Sequence, residues 1–156
     1  MPRSASSTGG DSPLSHHRKI GIDANVLIYL LGDIEPRAEL ARQLLARLET
    51  GELAGVASVL TLTEVLTGPA RDGQPAAFEA IARILTTELP IEWLELDVSA
   101  AVDAAWVRGT SIRGLSDAIQ LTRVRASGAT AFVTNDDRMR SIAGLDVIRL
   151  DDLAAA

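Results

Sequence analysis

The chain has 156 residues, a net charge of −6, 47% hydrophobic residues and no cysteine. Its length suits one domain, and its apolar content excludes disorder for the bulk of it. The missing cysteine excludes disulfide staples, zinc ribbons and thiol catalysis, and it fits a reducing compartment.

The first residues, MPRSASSTGGDSPLSHHRK, have no periodicity, so 1–18 reads as a mobile tail ahead of a domain spanning 19–156. His16 and His17 fall on that tail and are expected to be inert. The tail lacks the apolar stretch of a signal peptide, and no apolar run approaches the ~20 residues of a membrane span. A cytoplasmic protein with no membrane partner is expected.

KIGID then reads as a strand ending at Asp23, and ANVLIYLLG as a helix stopped at Gly32. Leu40, Leu44 and Leu48 set a helical stripe over 35–50, closed by Gly51. LAGVAS is a second strand, and TLTEVLT a short helix ended by Gly68-Pro69. Phe78, Ile81, Ala82 and Leu85 share one face of a helix over 75–87. Strand IEWLEL follows, then the helix VSAAVDAAWVRGT with Val98, Val102 and Ala105 inward. LSDAIQLTRVRAS is the next helix, ended by Gly128. ATAFVT is a fourth strand, NDD a turn, and a short helix and the strand DVIRL complete the chain. Alternation of helices with continuously apolar strands predicts an α/β fold, a parallel sheet covered on both faces.

Ligands in such sheets bind beyond the carboxyl ends of the strands. Asp23 ends the first strand, Glu64 lies just past the second, and Asp136 follows the fourth; Asp117 opens the helix leading into the fourth. Each acid has a structural explanation. Thr61-Leu-Thr-Glu64 matches a capping box, Asp117 suits a helix N-terminus, and Asp136 and Asp137 suit a turn. Asp23, between Ile22 and Val26, resists such an account, because a buried acid needs partners or a cation. Four carboxylates within ~6 Å repel by roughly 3 kcal/mol per pair at an effective dielectric near 20. A hard divalent cation removes that cost, and oxygen-only ligands select Mg²⁺ or Mn²⁺ over zinc. Such a cation supports phosphodiester hydrolysis.

The acidic net charge argues against a nucleic-acid partner, but its distribution does not. From Arg108 to Arg140 there are six arginines against Asp117, Asp136 and Asp137. Arg108 and Arg113 are therefore candidate contacts to RNA phosphate, or equally solvated charges at a helix end.

IDANVLI, SVLTLTEVL, GLSDAIQLTRV and FVTNDDRM resemble, in order and spacing, the four acidic motifs of PIN domains, over about residues 19–152. The resemblance gives Asp23, Glu64, Asp117 and Asp136 the catalytic, metal-ligand roles, and Asn25 and Thr134 supporting polar positions. In size the chain is most similar to the VapC toxins. That similarity implies a Mg²⁺- or Mn²⁺-dependent endoribonuclease, a homodimer silenced by a small antitoxin whose tail occupies the acidic groove. The apolar faces over 35–50 and 75–87 are candidates for the dimer surface. Ala24 stands where the family often has Ser or Thr, Met139 where an aromatic or leucine is frequent, and Asp137 competes with Asp136 for the fourth role. Two rivals remain. A haloacid-dehalogenase-like phosphatase needs an acid at the position of Asn25, and a catalytically silent PIN-like module would bind RNA or protein without cutting.

Overall fold

The computed structural model describes residues 11–155, running β1 (Lys19–Ile22), α1 (Ala24–Leu31), α2 (Arg37–Glu49), β2 (Ala54–Ser58), α3 (Val59–Arg71), α4 (Pro75–Arg83), a π-helical turn (Ile84–Glu88), β3 (Ile91–Leu94), α5 (Val98–Thr110), α6 (Leu115–Ala126), β4 (Ala131–Thr134), β5 (Asp146–Arg149) and a 3-10 turn (Leu150–Ala155). The strands form one sheet in the order β3-β2-β1-β4-β5, and every pairing is parallel. The α/β fold read from the sequence is the one found. Because β2 and β3 lie to one side of β1 and β4 and β5 to the other, the chain reverses its direction of travel between β1 and β4. In open α/β sheets ligands bind at such a switch point, beyond the strands' carboxyl ends.

Alternation along the strands feeds two cores. Ile20, Ile22, Ala131 and Val133 join Val26, Leu27, Leu44 and Leu48 from α1 and α2 on one face. Val56 and Phe132 join Leu121 and Val124 of α6 and Val107 of α5 on the other. Gly21 permits the second contact. A Cβ there would lie 2.5 Å from Cγ1 of Val124 and 2.7 Å from Cδ2 of Phe132, so only glycine lets α6 settle on β1. Met139, in the place of the family's aromatic or leucine, fills this core and is buried.

Several expectations need correction. Residues 1–10 of the predicted tail lie outside the described residues. Residues 11–18 pack on the domain: Leu14 is fully buried in the first core, and Nδ1 of His17 lies 2.8 Å from Oγ1 of Thr130. A single well-placed leucine anchors a stretch with no visible periodicity. α3 runs through Gly68-Pro69 to Arg71, because the hydrogen bond Pro69 cannot donate falls in the last turn, where the Asp72 amide still reaches the carbonyl of Gly68 at 3.0 Å. No helix precedes β5; a turn closed by an Ile142–Leu145 bridge does, and the short helical turn follows β5 instead.

The inward face of α5 is Ala100, Ala104 and Val107. Val98 and Val102 are 83% and 66% exposed, and Ala105 is exposed too. Both triplets are apolar at helical spacing, but the tight packing of α5 on α6 favours the one with small residues. α2 turns Ala38, Ala41, Leu44 and Leu48 into the core, which removes that face as a free surface, whereas α4 buries no residue fully.

Gly21→Ala should destabilise the domain by about 1–3 kcal/mol, as overpacking does in a filled core. Urea denaturation measures it, and an unchanged midpoint would contradict the packing of α6 on β1.

Candidate active site

Asp23 sits where β1 ends and α1 begins, in the extended conformation of a helix N-cap. Its Oδ1 accepts the Ala24 amide at 2.8 Å, and its own amide donates to the carbonyl of Val133 at 3.0 Å. Oδ2 accepts the Thr134 hydroxyl at 2.7 Å and Asn25 Nδ2 at 3.4 Å. Thr134, fully buried at the end of β4, also accepts Asn25 Nδ2 at 3.1 Å and the Asp136 amide at 3.0 Å. The first and fourth acidic segments are thus stitched together across the β1–β4 crevice. Asp23 is only 6% exposed, and among the described residues no cation pairs with it. Burial pushes its carboxyl up to about 6, opposed by the Thr134 and Ala24 hydrogen bonds and reinforced by the charges of Glu64 and Asp117.

Glu64 does not close a capping box. The cap of α3 is Ser58, whose hydroxyl accepts the Leu60 amide at 3.3 Å, and the Thr61 hydroxyl is buried without a partner. Glu64 lies in the second turn of α3 and reaches across to α6, where Oε1 accepts Ser116 Oγ at 2.6 Å and Gln120 Nε2 at 2.8 Å. Sequence reasoning missed Ser116 and Gln120. Their signal was a glutamine within the apolar stripe of α6, one turn beyond a serine beside Asp117.

Asp117 opens α6. Its carboxyl is raised by burial first and by Asp136 second, with Arg138 opposing. Its Oδ2 would lie 2.6 Å from a Cβ on residue 114, so Gly114 leaves room for the carboxylate. Asp136 is gripped by Arg138 of the same loop, Nε to Oδ1 at 3.0 Å and Nη2 to Oδ2 at 2.9 Å, which holds its carboxyl below the usual range. Asp137 instead pairs with Arg149 and is 82% exposed, so of the two neighbours Asp136 is the one that couples to Asp117.

Thr134 ties Asp23 to the Asp136 segment, while the charges of Glu64 and Asp117 are felt at Asp23 and that of Asp136 at Asp117. The four acids do not form one tight shell. Among the described residues no three acidic or histidine side chains are gathered closely enough to hold a cation. The expected gathering of all four acids into one close shell is therefore not found among the described residues; Glu64 is held by Ser116 and Gln120, and Asp136 by Arg138.

A PIN-domain family model matches residues 20–145. The chain belongs to the PIN-domain family. Solved structures share the fold. VapBC2 of Rickettsia felis, bound to promoter DNA, superposes with a TM-score of 0.67 at 15% identity, covering 84% of this chain and 98% of that one. A Klebsiella pneumoniae toxin–antitoxin complex gives 0.60 at 20% identity, covering 81% and 94%. The sarcin–ricin-loop-cleaving toxin VapC20 of Mycobacterium tuberculosis gives 0.57 at 19%, covering 72% and 86%. No curated protein sequence matches the chain.

In this PIN domain the donor set fits a hard divalent cation. It is made only of carboxylate and hydroxyl oxygens, and its most buried member, Asp23, has hydrogen-bond donors but, among the described residues, no positively charged partner. Arg108 and Arg113 line a cleft of about 400 Å³ between α5 and α6; both are exposed, and neither is ion-paired among the described residues. No helix among those residues is long and apolar enough to cross a membrane.

The raised carboxyl of Asp23 makes a signed prediction. With an ordinary value of 3.8 and about 6 in the fold, the folded state binds more protons than the unfolded one between those limits. Stability from this group is thus lost as pH rises through that window, by roughly 3 kcal/mol at ~1.4 kcal/mol per pH unit. Asp23→Asn in chelator should melt several degrees above wild type at pH 7.5, at ~2–4 °C per kcal/mol, and the gap should close below pH 4. Equal melting temperatures at both pH values would contradict the uncompensated burial.

Proposed function

We propose that this PIN domain is a Mg²⁺- or Mn²⁺-dependent endoribonuclease, the toxin half of a toxin–antitoxin pair. The observation that carries the reading is Asp23: a carboxylate buried at the switch point, within the electrostatic reach of Glu64 and Asp117, with no Arg, Lys or His paired to it among the described residues. Such an arrangement opposes the stability of the metal-free chain and is relieved by a shared divalent ion. Asp23, Glu64, Asp117 and Asp136 would hold the ion. When bound, it lowers the pKa of water and stabilises charge on phosphate oxygens.

The chain's own residues prepare the site. Thr134 and Asn25 donate to Oδ2 of Asp23 and fix the plane of its carboxylate. The Ala24 amide donates to Oδ1, so the alanine in place of Ser or Thr still contributes its backbone N–H. Ser116 and Gln120 hold the Glu64 carboxylate between α3 and α6. Asn25 cannot serve as the general acid of a phosphatase. Its Oδ1 accepts the Asn135 amide at 3.2 Å while its Nδ2 donates to Thr134, which makes it an orienting group.

The structural neighbours described above include a toxin–antitoxin complex and a toxin named for cutting an RNA loop, and they support extending both properties to this chain. The partners proposed are an RNA substrate, a small antitoxin protein and a second copy of the chain, in the cytoplasm. A homodimer would draw on the outward stripe of α5, where Val98, Val102 and Trp106 are exposed beside Leu115, rather than on α2, whose apolar face is buried.

Purified protein should cleave a single-stranded RNA in Mn²⁺ or Mg²⁺ and stop in chelator, and Asp117→Asn should lower the rate at least a hundredfold with the fold intact. Cleavage that persists in chelator would contradict metal dependence; RNA binding without cleavage under any divalent ion would favour the silent module. Replacing Arg108 or Arg113 with Ala should reduce the slope of log affinity against log salt by about 0.7, one phosphate contact on a single strand. An unchanged slope for both removes them from the RNA surface.

A further inference from the structure

The sequence reading gave Asn135 only as part of the turn and motif around Asp136, and gave Asp151 no role, yet the two are bonded to each other and, through Asn25, to Asp23. Asn135 Nδ2 donates to Oδ1 of Asp151 at 2.9 Å, and the Asp151 amide donates back to Oδ1 of Asn135 at 3.2 Å. This two-way contact allows only one orientation of the Asn135 amide, because the carboxylate needs a donor and the backbone N–H an acceptor. The Asn135 backbone N–H in turn donates to Oδ1 of Asn25 at 3.2 Å. That bond obliges Asn25 to present its NH₂ to Thr134 Oγ1 at 3.1 Å and to Oδ2 of Asp23 at 3.4 Å. A continuous series of hydrogen bonds thus runs from the C-terminal 3-10 turn to the most buried acid of the crevice.

Its outer end is fastened. Arg37, the first residue of α2, donates to Asp151 through Nε and Nη2, both at 3.0 Å, and its guanidinium lies 5.3 Å from the centre of the Tyr29 ring. A two-point fork sets the plane of the carboxylate it grips, which a single contact does not do. Nη2 of Arg149 lies 3.9 Å from the same Oδ2 of Asp151. Arg37 and Asn135 hold the Asp151 carboxyl down to about 2, so it is ionised across the physiological range and always available as an acceptor.

We propose that Arg37 and Asp151 are positioning residues for the nuclease site, acting through Asn135 and Asn25 to set the orientation of the Asp23 carboxylate. They touch neither substrate nor cation. The physical case is that an ion ligand is effective only when its lone pairs point at the ion, and groups one layer out set that direction; their loss commonly costs 10–100-fold in affinity or activity. The arrangement also explains why the final turn of the chain packs against the N-terminus of α2: the contact lies behind the catalytic crevice and transmits its geometry. The positioning role rests on the metal-nuclease reading for its consequence, but the hydrogen-bond series can be tested apart from it.

The test compares wild-type full-length protein with Asp151→Ala, Asp151→Asn and Arg37→Met. Three readouts are taken: the side-chain amide NMR signals of Asn25 and Asn135, Mn²⁺ affinity by calorimetry without substrate, and steady-state cleavage of RNA. Asp151→Ala should displace or broaden the Asn25 side-chain signals and weaken Mn²⁺ binding at least fivefold. It should also cut kcat about tenfold with KM within twofold, while the far-UV circular dichroism stays that of wild type. Asp151→Asn retains an acceptor for Asn135 and should recover most of all three. Arg37→Met, the safer variant for folding, should move them in the same direction by two- to fourfold. Unchanged Asn25 signals and Mn²⁺ affinity in Asp151→Ala and Arg37→Met would overturn the proposal, as would Asp151→Asn behaving like Asp151→Ala. Failure of the wild type itself to bind Mn²⁺ would instead sink the nuclease reading, and the Asn25 signals would still decide whether the series exists.

Discussion

A carboxylate held almost out of water, at the place where a parallel sheet changes direction, is the constraint around which this molecule is organised. Asp23 is unavoidable there: it caps α1 with its side chain, bonds β4 with its amide, and is sealed by Thr134 and Asn25. Those bonds stabilise the ionised form but do not outweigh its burial, and its carboxyl remains raised. The fold therefore carries an unfavourable site within an otherwise well-filled interior. Local strain of this kind is retained where function requires it.

The surrounding architecture serves that position. Gly21, one residue before Ile22, lets α6 lie directly on β1, and this brings Asp117 and Ser116 to the crevice from one side. α3 starts at Ser58 immediately after β2 and delivers Glu64 from the other. β4 places Thr134 beside Asp23 and lets the following loop turn Asp136 toward Asp117. Two of the acids have polar partners of their own: Ser116 and Gln120 hold Glu64, and Arg138 holds Asp136.

Much of this was legible in the chain itself. The strand–helix alternation, the end of β1 at Asp23 and the four acidic motifs are local patterns, and local patterns survive folding. The family assignment followed from their order, and the match over residues 20–145 agrees with it. What escaped was whatever depends on the choice between equivalent faces or on distant partners. Val98, Val102 and Ala105 have the same spacing and polarity as Ala100, Ala104 and Val107, and only the close approach of α6 selects the smaller set. Glu64 looked like a helix cap because Thr61 stands three residues before it, whereas α3 begins earlier and Glu64 bonds across 52 residues to Ser116. Asp151 and Arg37 gave no signal, since their association spans 114 residues and joins two elements unrelated in sequence, and Asn135 was visible only as part of the fourth motif. Leu14 was hidden by its polar neighbours, although one buried leucine suffices to bind residues 11–18 to the core.

The central claim is that Asp23, Glu64, Asp117 and Asp136 share one divalent ion at the carboxyl end of the sheet. Crystals grown with Mn²⁺ and measured for anomalous scattering test it most directly. The account predicts a strong peak against the Asp23 carboxylate, with Asp117 turned toward it and the Arg138 fork released from Asp136. A crevice without a peak at saturating Mn²⁺, with Glu64 still on Ser116 and Gln120 and Arg138 still on Asp136, would contradict it.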